Sequence, residues 1–111
     1  MIGGGTAGCE LAMAMSHRLT EAGLTPQITL IEAGDELSGF SPRALAAVKR
    51  GLAAHGVTTL TGVSVDEVTP TSVRLSDGRT LPAALTVGAA GAFAHGWLAD
   101  SPLPTTDDGF L

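Results

Sequence analysis

The 111 residues include no tyrosine, one tryptophan, three phenylalanines and a single cysteine. One cysteine permits neither an internal disulfide nor a cysteine-based zinc site. Nothing then marks an oxidising compartment, and a reducing cytoplasm is the default expectation. Basic residues are scarce as well: six Lys and Arg stand against eleven Asp and Glu, a net charge of −5. Without a basic run the chain lacks the clustered cations that neutralise phosphates, which excludes a nucleic-acid binder. Charged residues make up only 15% of the chain and hydrophobic ones 44%, which excludes a disordered polyelectrolyte. No charged segment leads into a long apolar stretch, so no secretory signal is expected. The uncharged span 80–99 is about as long as a membrane helix, but Pro82, Gly88, Gly91 and Gly96 fall inside it. It reads as a buried strand and a glycine turn, with no membrane span.

Small residues are abundant instead. Seventeen alanines and fifteen glycines predict a single domain whose elements pack closely. Leu11, Met15 and Leu19, with Ala12 and Ala22, recur at helical spacing behind a glycine-rich opening, and Gly23 suits a left-handed cap. Residues 27–32 form a β-rich run. After a loop at 33–40, Ser41 and Pro42 open a second helix as N-cap and first residue. Leu45, Val48 and Leu52 mark its inner face, and His55-Gly56 closes it. Residues 57–60, 63–68, 72–75 and 79–81 read as strands, with turns at Pro70-Thr71 and Asp77-Gly78. Residues 85–87 read as a last buried strand. Residues 102–111, with two prolines, two threonines and two aspartates, read as a linker.

The order is therefore βαβαβ, an antiparallel meander and one more strand. This predicts an α/β fold: a Rossmann-like parallel sheet with helices on its faces and an antiparallel β-meander. Its first strand is truncated, because only Met1 and Ile2 precede the glycines. A central strand that short is expected to leave backbone groups exposed on both neighbours.

Gly3-x-Gly5-x-x-Gly8 has the spacing of a dinucleotide fingerprint. Gly3 permits the turn from strand to helix, Gly5 lets the main chain approach a pyrophosphate, and Gly8 lets helix pack on sheet. The free N–H groups near Thr6, Ala7 and Gly8 are expected to face the phosphates. Glu32 ends the next strand, where a carboxylate accepts from both adenosine ribose hydroxyls and repels a 2′-phosphate. Ala33 and Gly34 follow with no arginine, which favours NAD over NADP. The competing reading is a glycine turn that only packs a helix on a sheet.

At 3–12, 28–33, 52–57 and 75–83 the sequence resembles the NAD-binding domain of the FAD-dependent pyridine nucleotide-disulfide oxidoreductase superfamily. It is most similar to the type II NADH dehydrogenase-like branch. The resemblance extends to Ala89-Ala90-Gly91, where members usually carry Ala-Thr-Gly. It implies that Gly3, Gly5, Thr6, Ala7 and Gly8 hold the NAD pyrophosphate and that Glu32, with Ala33, holds the adenine-side ribose. It puts Glu10 near the nicotinamide carboxamide, Val63 at the adenine pocket, and Ala90 and Gly91 beside the nicotinamide half. Ala90 in place of threonine removes one hydroxyl donor.

The expected division is an NAD-binding Rossmann-like domain over 1–100 and, over 101–111, a linker returning toward an FAD domain absent from this chain. The implied cofactor is NAD(H), with FAD in the complete parent enzyme, which is allowed a peripheral membrane location. Such a chain orients nicotinamide for hydride transfer to flavin, with no turnover expected from it alone and no catalytic residue of its own. Two alternatives stand beside this: the FAD-binding half of the same superfamily, and a truncated, non-catalytic nucleotide-binding module. The face left by an absent FAD domain would favour a homo-oligomer.

Single residues have plainer readings. Cys9 is expected to be a packed small residue, and Glu10 a helix-end charge were it not for the resemblance. His17, His55 and His95 lack metal-ligand spacing, so no metal site is expected. Trp97 with Leu98 is expected to bury against the sheet or a partner domain, and Asp66-Glu67 to form a solvated meander edge.

Overall fold

A computed structural model describes residues 1–111. Helix α1 (Thr6–Glu21) follows the glycine opening directly, with Gly5 as its N-cap and no side-chain cap. It ends where expected, and Gly23 has the left-handed φ of +80° that favours glycine. Strand β1 (Thr29–Ile31) follows, then helix α2 (Pro42–Ala54) and strand β2 (Thr58–Leu60). Ser41 caps α2 by accepting the Ala44 N–H at 3.4 Å. Strands β1 and β2 are parallel, in register Thr29 to Thr58 and Ile31 to Leu60. The crossover helix between them makes that parallel pairing possible.

The meander is β3 (Val65–Val68), β4 (Ser72–Leu75) and β5 (Thr80–Pro82), antiparallel in that order. Gly78 turns the β4–β5 hairpin with φ +89°. A register shift between Val65 and Glu67 bends β3. Arg74 on the neighbouring strand reaches both Asp66 and Glu67, at 3.4 and 3.3 Å, along an exposed edge. That acid pair is therefore a solvated meander edge.

The opening residues complete the parallel sheet despite their small number. Ile2 bridges Ile31 on one side and Gly88 on the other, both in parallel sense. The Ile31 N–H donates to Met1 C=O at 2.9 Å and the Gly3 N–H to Ile31 C=O at 2.8 Å. Across the other edge, Ile2 N–H donates to Val87 C=O at 2.8 Å and Ala89 N–H to Ile2 C=O at 2.7 Å. The expected exposure of neighbouring backbone is thus confined to the end of the sheet below Met1. Above it, Ile2 lies between strand β1 and the 87–89 segment, which the chain reaches on opposite sides of Ile2, the topological switch point of an open α/β sheet.

Two clusters form the core. Cys9, Ala12, Leu30, Leu37, Leu52 and Val57 join both helices to the parallel sheet. Ile31, Val63, Val73 and Leu75 join that sheet to the meander. Burying a leucine such as Leu30 or Leu52 contributes about 1.5–3 kcal/mol. Small residues set the spacing of the helices, because a Cβ at Gly51 would lie 2.9 Å from the Met13 sulfur.

Three expectations need correction. The buried stripe of α1 runs through Gly8, Cys9, Ala12 and Ser16, and Leu11 is exposed. The helix lies so close to the sheet that small residues fit its inner face, and the larger Leu11 is turned outward. Residues 85–87 are not a buried strand: Leu85 is 69% exposed, and the segment meets the sheet only at its far end, through Val87 and Gly88. Trp97 does not bury against the sheet. It sits in a short 3₁₀ turn, Gly96–Leu98, and is 65% exposed. No helix is long and apolar enough to cross a membrane.

Candidate functional site

At the carboxyl end of the parallel strands lies a cleft of about 530 Å³. That volume falls within the range of small-molecule sites. Its floor is the glycine opening, its sides are the ends of β1 and the 63–65 segment, and its far wall is 89–91. Gly3, Gly5, Thr6, Ala7, Glu32, Ala33, Val63, Ala90 and Gly91 all line it. Two candidates do not. Gly8 is buried beneath the loop. Glu10 is exposed on α1, one residue past the first turn, and is not among the cleft walls.

The glycines are present for separate steric reasons. Gly3 has φ +106°, and a Cβ there would overlap the Ala89 carbonyl. The 89–91 segment can therefore close on the loop. A Cβ on Gly8 would overlap the Gly3 carbonyl oxygen, so Gly8 sets how closely α1 approaches the strand. Gly5 is different. The nearest atom to a Cβ there is Ser38 Oγ at 3.7 Å, so a methyl would fit but would project beside the cleft. Gly91 needs its φ of +96° and otherwise faces open space.

Gly4 occupies a fingerprint position open to any residue, yet here a side chain would have to displace its neighbours. A Cβ would lie 2.7 Å from Leu37 Cδ2 and 2.8 Å from Glu32 Cβ. Sequence spacing gave no signal of this, because Leu37 reaches Gly4 only through the loop after β1. Buried Leu37 anchors that loop, and Ser38 N–H donates to Gly4 C=O at 3.2 Å. Ser38, Ser64 and Val65 also line the cleft and were not anticipated.

Glu32 ties the loops together. One carboxylate oxygen accepts Gly4 N–H at 2.7 Å and the other accepts Gly34 N–H at 2.9 Å. A carboxylate offers about four acceptor positions, so capacity remains for further donors. Beside it, the N–H groups of Gly5, Thr6 and Ala7 have no protein acceptor, as expected for the first turn of a helix. No acid occupies that turn, and its dipole favours an anion. No lysine or arginine lines the cleft. The nearby Lys49 ammonium is engaged by Glu36 at 2.5 Å.

Cys9 packs beneath the loop at 1% exposure, its thiol directed at Gly4 C=O at 3.5 Å. Burial pushes the thiol pKa up, and the Glu32 and Glu10 carboxylates add to the shift. Its helix-end position does not activate it. It is a packing residue.

A parallel sheet opened at a switch point, with a glycine-lined helix start and an acid at the next strand's end, defines a dinucleotide-binding class of α/β domain. The pyridine nucleotide-disulphide oxidoreductase family profile matches residues 1–111, and the chain belongs to that family. Its fold is that of a nucleotide-binding domain of the family. A NADH dehydrogenase-like protein of Mycobacterium tuberculosis, in two strains, is 37% identical over 100 residues. The match covers 82% of this chain and 24% of the relative, so the chain spans about a quarter of that relative's length. Among solved structures, reduced CoADR-RHD from Bacillus anthracis superposes with a TM-score of 0.73 at 27% identity, over 97% of this chain and 19% of the other. NDH2 from Plasmodium falciparum, solved with NADH, superposes with a TM-score of 0.75. At 19% identity, over 87% of this chain and 23% of that one, it bears on the fold alone.

Proposed function

We propose that the chain is the NAD(H)-binding domain of an FAD-dependent oxidoreductase and orients nicotinamide toward a flavin held by other sequence. The observation that carries this is the convergence of free first-turn N–H groups, Glu32 and the 89–91 segment on one cleft. Gly5 supports this reading: nothing in the protein fills the place of a Cβ there, and its absence leaves the first-turn N–H groups uncovered beside the cleft.

In this reading, Gly5, Thr6 and Ala7 N–H groups bind the pyrophosphate, with the α1 dipole behind them. Glu32 accepts from the adenosine ribose hydroxyls, and its charge disfavours a 2′-phosphate. Ala33 lets the ribose approach, and Val63 and Val65 give the adenine an apolar wall. Ala90 and Gly91 bring main chain, with no side-chain donor, to the nicotinamide half. Glu10 is exposed and does not line the cleft, so its assigned nicotinamide contact requires the ligand to extend past the cleft wall. The nicotinamide supplies hydride chemistry when bound, and a flavin receives it. The contribution of these residues is orientation. The chain alone is not expected to turn over.

Titration with NADH and with FAD, followed by fluorescence, tests the reading. Saturable NADH binding with no FAD retention supports it. FAD retention without NADH binding would overturn it in favour of the FAD-binding half. Binding of neither, with a cooperative melt, would leave only a non-binding module.

A further inference from the structure

The meander guards both of its edges. β3 has its register shift and the charged Asp66, Glu67 and Arg74 beside it, and β5 carries Pro82. Bulges, charges and prolines keep an unpaired edge from adding a further strand. β2, the outer strand of the parallel sheet, has none of these. Residues 51–65 hold no Lys, Arg, Asp or Glu, and Val57-Thr58-Thr59-Leu60-Thr61 is a run of strand formers.

Thr58 N–H donates to Ile28 C=O at 2.9 Å, Leu60 C=O accepts Glu32 N–H at 2.8 Å, and Gly62 N–H donates to Gly34 C=O at 2.8 Å. A trans peptide directs its N–H and C=O to opposite sides. Thr61 therefore turns both its N–H and its C=O outward, away from β1. Thr59, paired beside Leu30 in the ladder, turns outward in the same way. No loop backbone reaches any of these four groups. The side chains alternate. Thr59 and Thr61 face a groove of about 280 Å³ under Leu52 and Ala53 of α2, and Leu60 packs on the meander side.

We propose that β2 pairs with β2 of a second copy of this chain, antiparallel, about a two-fold axis at Leu60. In that register Thr59 of each copy stands opposite Thr61 of the other, and every outward N–H meets an outward C=O. With the axis at Thr59 instead, Thr61 C=O would face Val57 N–H, which is already given to Leu52 C=O. Free donors and acceptors thus select both the occupant and the register, because a second copy supplies the matching set by symmetry. Side chains agree with it. Threonine opposite threonine is a favourable cross-strand pair, and the two Leu60 side chains meet at the closer, non-hydrogen-bonded position. Such an isologous contact closes on itself and yields a dimer. It is small, so association is weak and grows with concentration. The inference is independent of which nucleotide the cleft binds.

Sedimentation equilibrium without nucleotide, from about 10 μM to about 1 mM chain, tests this in about 0.15 M salt, which screens the −5 charge of each copy. The mass of the parent is expected to rise from monomer toward dimer over that range. Its Thr59 and Thr61 amides should exchange with solvent deuterium at least about threefold more slowly at the upper concentration. Thr59 and Thr61 are exposed, so paired substitutions there should melt within a few degrees of the parent. Thr59→Lys with Thr61→Lys sets lysine against lysine on both sides of the axis and should weaken association at least about tenfold. This variant has less net negative charge, so general repulsion cannot account for the loss. Thr59→Lys with Thr61→Glu sets lysine against glutamate and should associate at least as tightly as the parent. A parent that stays monomeric, or amides whose exchange ignores concentration, would overturn the proposal. Equal association of the two variants would also overturn it, in favour of a contact elsewhere, such as the exposed Phe93 and Trp97.

Discussion

The Glu32 carboxylate holds the N–H of Gly4, 28 residues earlier in the chain, at 2.7 Å. The glycine loop and the end of β1 are thereby one unit before any ligand arrives. The same side chain is proposed to grip a ribose, so its removal has two separable effects.

Glu32→Ala strands the buried Gly4 N–H and is expected to destabilise the fold by about 1–3 kcal/mol. It should weaken NADH binding at least about tenfold, from the loss of charge-assisted hydrogen bonds. The preference for NADH over NADPH should shrink with it. Glu32→Gln, which keeps an acceptor for Gly4, should recover much of the stability and little of the affinity. Calorimetric titration and a melt on each variant separate these effects. Unchanged affinity in Glu32→Ala would defeat the proposed function.

Gly5 and Gly8 should part company. A methyl at Gly8 meets the Gly3 carbonyl, so Gly8→Ala is expected to lose at least about 2 kcal/mol of stability. A methyl at Gly5 has room, so Gly5→Ala should melt within a few degrees of the parent. It should nevertheless lose at least about tenfold in NADH affinity, because the methyl keeps a pyrophosphate off the main chain. An intact affinity in Gly5→Ala would mean that phosphates do not sit at this turn.

The proposed recognition of a pyrophosphate by N–H groups and a helix dipole, with no cation in the cleft, has a salt signature. Raising salt releases few counterions and screens the repulsion from Glu32, Asp35 and Glu36. NADH affinity is therefore expected to hold or rise slightly from low to high salt. A weakening of more than about threefold would point to a lysine or arginine contact.

Cys9 makes stability depend on alkaline pH. Burial first, then Glu32 and Glu10, raises its folded-state pKa. The unfolded chain releases the thiol proton near pH 8.5 while the folded chain keeps it. The contribution is complete below that pH and is lost as pH climbs through the raised folded value. The melting temperature of the parent should therefore fall above about pH 8.5 more steeply than that of Cys9→Ala. Alkylation of native Cys9 should run at least about a hundredfold slower than that of the unfolded chain. Matching rates would mean that the loop opens freely over the thiol.

Local features could be read from the sequence because their causes are local. Ser41 and Pro42 begin α2, His55-Gly56 ends it, and Asp77-Gly78 turns the hairpin, each through its own φ preference or a neighbouring N–H. The glycine spacing before α1 and the acid ending β1 are likewise contiguous patterns, and nine of the eleven anticipated site residues line one cleft. Leu11, Leu85 and Trp97 could not be placed this way. Their hydrophobicity is a property of the residue, but their burial depends on what packs opposite.

The amino-acid order by itself determined the helices, the turns and the glycine bend followed one crossover later by a carboxylate, because each is set within a few bonds or one crossover. Only the tertiary structure decided that Leu37 and Glu32 crowd Gly4, that Ser38, Ser64 and Val65 join the cleft wall, and that Ile2 bridges both β1 and the 87–89 segment. Those outcomes rest on contacts between segments tens of residues apart, where the closeness of backbone to backbone governs and no local preference records it.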